Sequence, residues 1–384
     1  MTRRASVVVV GAGAIGLATA LQLGRAGITD VVVVDANSAP GMGSTGRANG
    51  GVRAQFATRV NIAFSQYTIQ QLRELDTATG GQVGFRAIGY LFMTGSQAGA
   101  TALRSACDLQ TAMGLPVQWL ESDGVAARAP FANLDGLRAA TFCATDGIID
   151  PHGVVSAYCD AGRRLGVTYI FDSRVQSIER RARHAVVHCN GTNIDAEWVV
   201  NAAGPAARDV AAMVNVALPV TPYRRNLACT EPITVIPAVI PMCVDIDTGV
   251  LIRREGGGVL IGYSDPESPA TLDTDFEPEF LDAIASRVGK RFPFLENAPI
   301  NARKCWAGLY PETPDHHAII DAPPEAPWFI QCAGFGGHGI MQSLAAGTAV
   351  TELIRDGRCT TFDIGPLRLD RFQQGHLTVE TVVL

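Results

Sequence analysis

One stretch near the N-terminus leaves few folds open to this chain. Residues 6–37, SVVVVGAGAIGLATALQLGRAGITDVVVVDAN, read as strand, glycine turn, helix and second strand. Val7 to Val10 make a continuous apolar run, the pattern of a parallel strand buried on both faces. Small and apolar residues then recur at helical spacing from Ala12 to Ala26, ending at Gly27, and Val31 to Val34 form the next strand, closing on Asp35. Between strand and helix, Gly11, Gly13 and Gly16 spell G-x-G-x-x-G. The first glycine turns the chain, the second lets backbone approach a pyrophosphate, and the third lets helix and strand pack closely. The helix start, with Ala14 and Ile15, faces the phosphate charge. Asp35 lies 19 residues after Gly16, beside Ala36, where an acid bonds ribose hydroxyls and disfavours a 2′-phosphate. The motif predicts dinucleotide binding and does not separate NAD from FAD, which share the ADP half.

At 384 residues the chain is long enough for two domains or one elaborate one. With 47% apolar and 18% charged residues it is predicted to be a compact enzyme and not a disordered chain. A net charge of −6 without a basic run excludes nucleic acid as a partner. The opening MTRRASVVVV passes directly into the nucleotide motif without a cleavage site, and no apolar run is long enough to span a membrane. Nine scattered cysteines show no C-x-x-C pair, so reduced thiols and a cytoplasmic location are expected.

Farther along, TYIFDSRVQSIERRARHAVVHCNGTNIDAEWVVNAAG and ALPVTPYRRNLACTEP through GGGVLIGYSDP are β-rich, with glycine and proline turns. FEPEFLDAIASRVGKRFPFL reads as an amphipathic helix before Pro293, and Ile340 to Arg355 as another. The expected architecture is α/β with an α+β insertion. A Rossmann-type nucleotide-binding domain is built from residues 1–85, 145–215 and 305–384. A β-rich substrate domain is built from residues 86–144 and 216–304.

Four further motifs carry a resemblance: GSTGRANGGVRAQF at 43–56, NAAG at 201–204, WAGLYPETPD at 306–315 and GFGGHGIMQ at 334–342. In this order, behind the nucleotide motif, they resemble the D-amino-acid oxidase/sarcosine oxidase superfamily of FAD-dependent oxidoreductases. The likeness is to the sarcosine oxidase β-subunit-like and glycine oxidase-like branch, along nearly the whole chain. It implies FAD stretched through the protein. Ser44 and Thr45 would meet the pyrophosphate or ribitol, and Val175 the adenine. Ala203 and Gly204 would pass the adenosine half, Arg47 would stand at the flavin's edge, and Gly51 and Gly308 would also meet the cofactor. Gly336, Gly337, His338, Gly339, Ile340 and Met341 would form the distal clamp on the isoalloxazine. A helix starting near Gly339 would aim free N–H groups at the charge of the reduced ring.

The same resemblance makes Arg53 the grip on a substrate carboxylate, for which a guanidinium fork is suited. Two departures accompany it. Met341 stands where monomeric sarcosine oxidases carry a lysine. Near the flavin, GGGVLIGY offers Leu260 and no lysine, which favours a dehydrogenase over an oxidase. Gly308 stands where a cysteine tethers the flavin in monomeric members, so FAD is expected to be non-covalent. His152, in DPHG, marks the place where heterotetrameric relatives tether FMN, a minor expectation here. His338 reads either as a contact to flavin or substrate or as a packed histidine. Tyr263 and Tyr310 are expected to line the cavity. Glu312, Asp315, His316 and His317 lack a second ligand cluster for a metal, and Asp315 reads as a turn residue.

The implied reaction is oxidation of the C–N bond of a small amino or N-alkyl amino acid, giving an imine that hydrolyses. The substrate is then a small carboxylate-bearing amine, and the second partner an electron acceptor or partner subunit. Two alternatives stay open at this stage. One is an NAD-dependent dehydrogenase; the other is a flavoprotein β-subunit that needs partner subunits, as in amino-acid, proline/hydroxyproline or opine dehydrogenases.

Overall fold

A computed structural model describes residues 2–375 and 377–382. The valine-rich N-terminal strand, Thr2–Val10, lies inside an eight-stranded sheet. Its parallel neighbours are Val31–Val34 on one side and Thr192–Asn201 on the other, with Val10 level with both Val34 and Asn201. Thr168–Ile170 extends the sheet beyond Val31–Val34, and Phe329–Ala333 and Ile319–Asp321 extend it the other way. Val175–Arg180 and Ala185–Cys189 add an antiparallel flap on Thr192–Asn201. A sheet buried on both faces tolerates only apolar runs, which is why Val7 to Val10 and Val31 to Val34 are legible as strands.

The first helix, Ala14–Arg25, starts where the glycine turn ends and packs against the C-terminal helix Gly339–Asp356. The long helix Arg59–Ala78 covers the other side of that C-terminal helix. Leu17, Leu21, Ile62, Leu72, Leu344 and Val350 are all buried in this shared core. FEPEFLDAIASRVGKRFPFL is α-helical over Phe280–Arg291, between Pro278 and Pro293, and a single 3-10 turn, Pro293–Leu295, follows.

A second eight-stranded sheet forms the inserted part. Its order is Trp306–Glu312, Thr221–Cys229, Gly258–Tyr263, Val250–Glu255, Met242–Asp245, Tyr90–Thr94, Ala139–Cys143 and Val117–Leu120. Residues 86–144 and 216–304 supply seven of these strands. The eighth, Trp306–Glu312, pairs antiparallel with Thr221–Cys229 over its length, so this segment of 305–384 lies in the inserted sheet. Its apolar run suits either sheet, and only the pairing partner, roughly eighty to ninety residues away in sequence, decides.

The cysteines are free, and all are buried except Cys305 and Cys359, which are half-buried. No helix among the described residues is long and apolar enough to cross a membrane.

Candidate active site

The strands Thr2–Val10, Val31–Val34 and Thr192–Asn201 all end at one edge, and a cavity of about 440 Å³ opens there. Open α/β sheets bind ligands at such an edge. Gly11 holds φ +109°, and a Cβ on it would stand 2.4 Å from the Ala202 carbonyl oxygen. A Cβ on Gly16 would stand 1.9 Å from the Gly11 carbonyl oxygen. Gly16 therefore lies behind the cavity and sets the helix against the turn, while Gly11, Gly13, Ala14 and Ile15 line it. The N-cap residue of the helix from Ala14, Gly13, has no side chain and the first turn has no acid, so apart from Ala14 N its positive end is open to an anion.

Asp35 and Ala36 line one end of the cavity with Val175. The Asp35 carboxylate is fixed: Oδ2 accepts from Ala12 N at 2.6 Å and Oδ1 from Asn37 N at 2.7 Å. Ala203 and Gly204 line the same region. Ser44, Thr45 and Arg47 flank the middle, with Thr45 Oγ1 accepting from Ala14 N at 3.1 Å. The Ser44 hydroxyl is buried with no protein partner, a cost of about 1–3 kcal/mol that a phosphate oxygen would relieve. Arg47 also bridges the two parts of the fold, its Nη1 donating to the Ala307 carbonyl at 3.0 Å.

At the far end stand Gly336, Gly337, Gly339, Ile340 and Met341, together with Gly51. The helix Gly339–Asp356 begins there, again without a side-chain cap or an acid in its first turn. Beyond it a smaller cavity of about 40 Å³ shares Gly51, Tyr310, Gly336, Gly337 and Met341 with the large one. Asn49 and Gly334 are shared as well, and Arg53, Tyr90, Glu312, His316 and His338 complete its lining.

Arg53 is 3% exposed and its guanidinium lies 3.9 Å over the Phe56 ring. Its Nη1 donates to the Gln55 carbonyl and its Nη2 to the Val382 carbonyl at 2.6 Å. Burial pulls the Arg53 pKa down, and Tyr90, Glu380 and Asp146 pull it back up. His338 sits beside it, edge-on to Phe56, with Nδ1 3.3 Å from Gln342 Oε1. Burial and then Arg53 push the His338 pKa down to about 4, so the ring is neutral at pH 7. It both faces the small cavity and packs as a core histidine.

Two residues expected at the cavity fall elsewhere, and His152 stands apart from it. Tyr263 lines neither cavity, because its ring faces the helix Phe280–Arg291 and lies 4.3 Å under Arg287. Gly308 stands behind Arg47, whose Cβ would lie 3.1 Å from a Cβ there, and also lines neither. His152 is exposed on the helix Pro151–Arg164, its ring against the back of Gly46 and outside both linings.

Tyr90, Asn49, Arg225 and the Glu312–His316 pair carry no local motif as cavity residues. Asp315 is more than a turn residue: it takes two bonds from Arg371, at 2.8 and 3.0 Å, in a buried ion pair. Among the described residues no cluster of acids, histidines or cysteines is arranged to hold a metal.

A glycine turn and open helix end on one side, with a second glycine-rich helix start on the other, define an enzyme holding an extended dinucleotide. The sequence pattern of the FAD dependent oxidoreductase family matches residues 6–353, and the chain belongs to that family. FAD is its cofactor, and the unpartnered Ser44 hydroxyl and the Gly11 cradle fit that group. The chain is 27% identical to FAD-dependent oxidoreductase domain-containing protein 1 of Xenopus laevis, over 96% of this chain and 83% of that one. It is 25% identical to the glycine oxidase of Geobacillus kaustophilus (strain HTA426), over 97% of this chain and 98% of that one. The crystal structure of L-proline dehydrogenase from P. horikoshii superposes with a TM-score of 0.91, at 26% identity. That match covers 98% of this chain and all 100% of the other.

Asp146 underlies the Arg53 segment and gives a pH prediction. It is fully buried, accepting from Ala54 N at 2.9 Å and Gln55 Nε2 at 3.1 Å. Burial pushes its carboxyl up from 3.8 to about 6, against the pull of those bonds and of Arg53. The folded state therefore binds this proton more tightly than the unfolded state. The stability it contributes is full below pH 3.8 and is lost as pH rises through about 6. That difference is worth about 3 kcal/mol at most. In Asp146→Asn the part of the pH dependence between pH 4 and 6 should vanish. Urea midpoints of both proteins at pH 4, 5, 6 and 7 check this; parallel curves would refute it.

Proposed function

We propose that the chain oxidises the C–N bond of a small amino or N-alkyl amino acid, as a dehydrogenase that passes electrons to an acceptor other than oxygen. The observation that carries the reading is the small cavity at the blind end of the FAD site, with the buried Arg53 guanidinium in its wall. FAD bound in the large cavity supplies the hydride acceptor. Arg53 holds the substrate carboxylate, and its two backbone carbonyl partners fix the plane of the guanidinium. Tyr90, Tyr310 and Met341 enclose the substrate and exclude water. The N–H groups at the start of Gly339–Asp356 stabilise negative charge at the far end of the large cavity. The imine product hydrolyses outside these steps.

Three relatives support the substrate class: the glycine oxidase and L-proline dehydrogenase above, and a 4-methylaminobutanoate oxidase of Paenarthrobacter nicotinovorans, 25% identical over 96% of this chain and 46% of that one. The acceptor preference rests on the cavity walls. Lys290 and Lys304 line neither cavity, and Leu260 is fully buried in its strand. Oxygen reduction passes through a superoxide-like charge that a nearby cation stabilises. No lysine lines either cavity, and of the arginines there Arg225 is already engaged by Glu312, Arg47 by the Ala307 carbonyl and Arg53 by the Gln55 and Val382 carbonyls and the substrate carboxylate.

Anaerobic mixing of the yellow holoenzyme with glycine, sarcosine, L-proline, D-alanine and 4-methylaminobutanoate should bleach the flavin with at least one of them. The reduced protein should then reoxidise slowly in air and at once with a dye acceptor. No bleaching by any amine refutes the reaction class, and immediate reoxidation in air refutes the dehydrogenase reading. One observation favours a partner-dependent form of the same enzyme. Val235 and Val239 are 74% and 66% exposed on the loop before Met242–Asp245. If the isolated chain reduces a dye only with a neighbouring gene product present, that form is correct.

A further inference from the structure

The small cavity has walls of opposite charge. Arg53 lines it, and so do Glu312 and His316. Glu312 follows Tyr310 by two residues on the strand Trp306–Glu312, so both side chains leave the same face. Its carboxylate sits between Arg225 Nη2 and His316 Nδ1, 3.0 Å from each. Its Cγ would lie 3.6 Å from a Cβ on Gly336, within the distal clamp.

His316 reaches this position through a backbone that a non-glycine residue rarely adopts, φ +58°. Strain of this kind clusters at functional sites. Here it turns the ring back onto Glu312 while leaving the side chain 35% exposed, so one imidazole touches both cavity and solvent. Arg225 alone already neutralises Glu312, and the second partner is unnecessary for stability of the charge. The other charged or titratable neighbours are Asp315 on the same loop, Tyr310 on the same strand and neutral His338 across Gly336. Although burial works against it, the bonds from His316 and Arg225 hold the Glu312 carboxyl below its usual range. The Glu312 bond in turn raises the His316 pKa.

The geometry points to Glu312 as the catalytic group that takes the ammonium proton of an incoming amino acid, with His316 as its outlet to water. The inference rests on the amino-acid reading above. At neutral pH an amino acid arrives as a zwitterion, and its nitrogen needs a free lone pair before the adjacent C–H can leave as hydride. The N–H bond breaks, its electron pair stays on nitrogen, and the proton joins a Glu312 oxygen. His316 releases the proton it carries from its exposed edge, so the pair keeps its charge. Nδ1 keeps its hydrogen on Glu312 Oε2. When the product leaves, Glu312 gives the proton on its other oxygen to water and His316 Nε2 takes one back, which restores the pair.

Calorimetry on the holoenzyme with L-proline, in two buffers of different ionisation enthalpy, counts the protons released. The amine-free analogue tetrahydro-2-furoate is the control. Wild type should release close to one proton with L-proline at pH 7 and none with the analogue. Glu312→Gln should weaken L-proline at least tenfold and tetrahydro-2-furoate less than twofold. Flavin reduction by L-proline in this variant should fall at least tenfold at pH 7 and recover towards pH 10, as a growing share of the amine arrives neutral. His316→Asn keeps Glu312 and Arg225 in place and tolerates the positive φ; it should show the same alkaline rescue. Equal weakening of both ligands, or loss without rescue at pH 10, overturns the inference and leaves the amino-acid reading intact. If wild type binds neither ligand, and glycine and sarcosine fail as well, both readings fall.

Discussion

Gly11→Ala is expected to purify colourless, with less than a tenth of the bound FAD of wild type. A Cβ there would stand 2.4 Å from the Ala202 carbonyl oxygen and 2.9 Å from its carbon, both backbone atoms that cannot swing away. The residue also holds φ +109°, which an L side chain resists by about 1–2 kcal/mol. Relief requires either the turn or the end of Thr192–Asn201 to move, and both line the cavity. Ala202 N bonds Val10 O at 2.9 Å, so the shift also strains the central strand pair. Gly27→Ala separates these effects. Gly27 holds φ +82° with open space around its missing Cβ, at the end of the same helix and away from the cavity. It should lose about 1 kcal/mol of stability and keep its FAD. The ratio of visible to ultraviolet absorbance, with thermal melts of both variants, reads the contrast. A Gly11→Ala protein with full flavin content would show that the turn does not cradle the cofactor.

The part of the site held by local geometry was readable in the sequence. The turn at Gly11, the acid at Asp35 and the helix start at Gly339 each sit within a few residues of the pattern that announces them, and all three line the cavity. The same holds for Val31–Val34, whose bounds match the valine run itself. The substrate end is different, because its contacts join residues far apart in the chain. Arg225 meets Glu312 across a strand pair 87 residues apart, and Arg53 meets Val382 from 329 residues away. Tyr263 illustrates the limit in the other direction. Its strand is correct, but which side of the sheet faces the cavity depends on the helix Phe280–Arg291 covering the opposite face. His316 was visible only as one of two adjacent histidines. Its positive φ, the feature that gives it an orientation, is a property of the folded turn.

Arg53→Met should raise KM for carboxylate-bearing amines roughly a hundredfold or more, the usual cost of cutting one side of a buried charged contact, and leave FAD bound. Arg53 lines the small cavity and not the large one, so cofactor retention and substrate grip are separable at this residue. Methionine keeps an apolar stem over Phe56 and removes the charge. The Gln55 and Val382 carbonyls lose their donors, so part of the loss will appear as stability. A KM comparison corrects for that part, because an amine without a carboxylate suffers any loosening of the pocket but not the lost ion pair. The carboxylate substrate should therefore weaken far more than its decarboxylated counterpart, pyrrolidine against L-proline for example. Glu380 supports the same end of the site, its carboxylate accepting from Ala57 N, Thr58 Oγ1 and Asn61 Nδ2 just before Val382 reaches Arg53. Arg53→Lys keeps the charge but not the fork, and should recover only part of the binding. If KM for L-proline and pyrrolidine changed equally in Arg53→Met, the carboxylate would be held elsewhere. Arg225, which lines the large cavity and pairs with Glu312 of the small one, would be the next to replace.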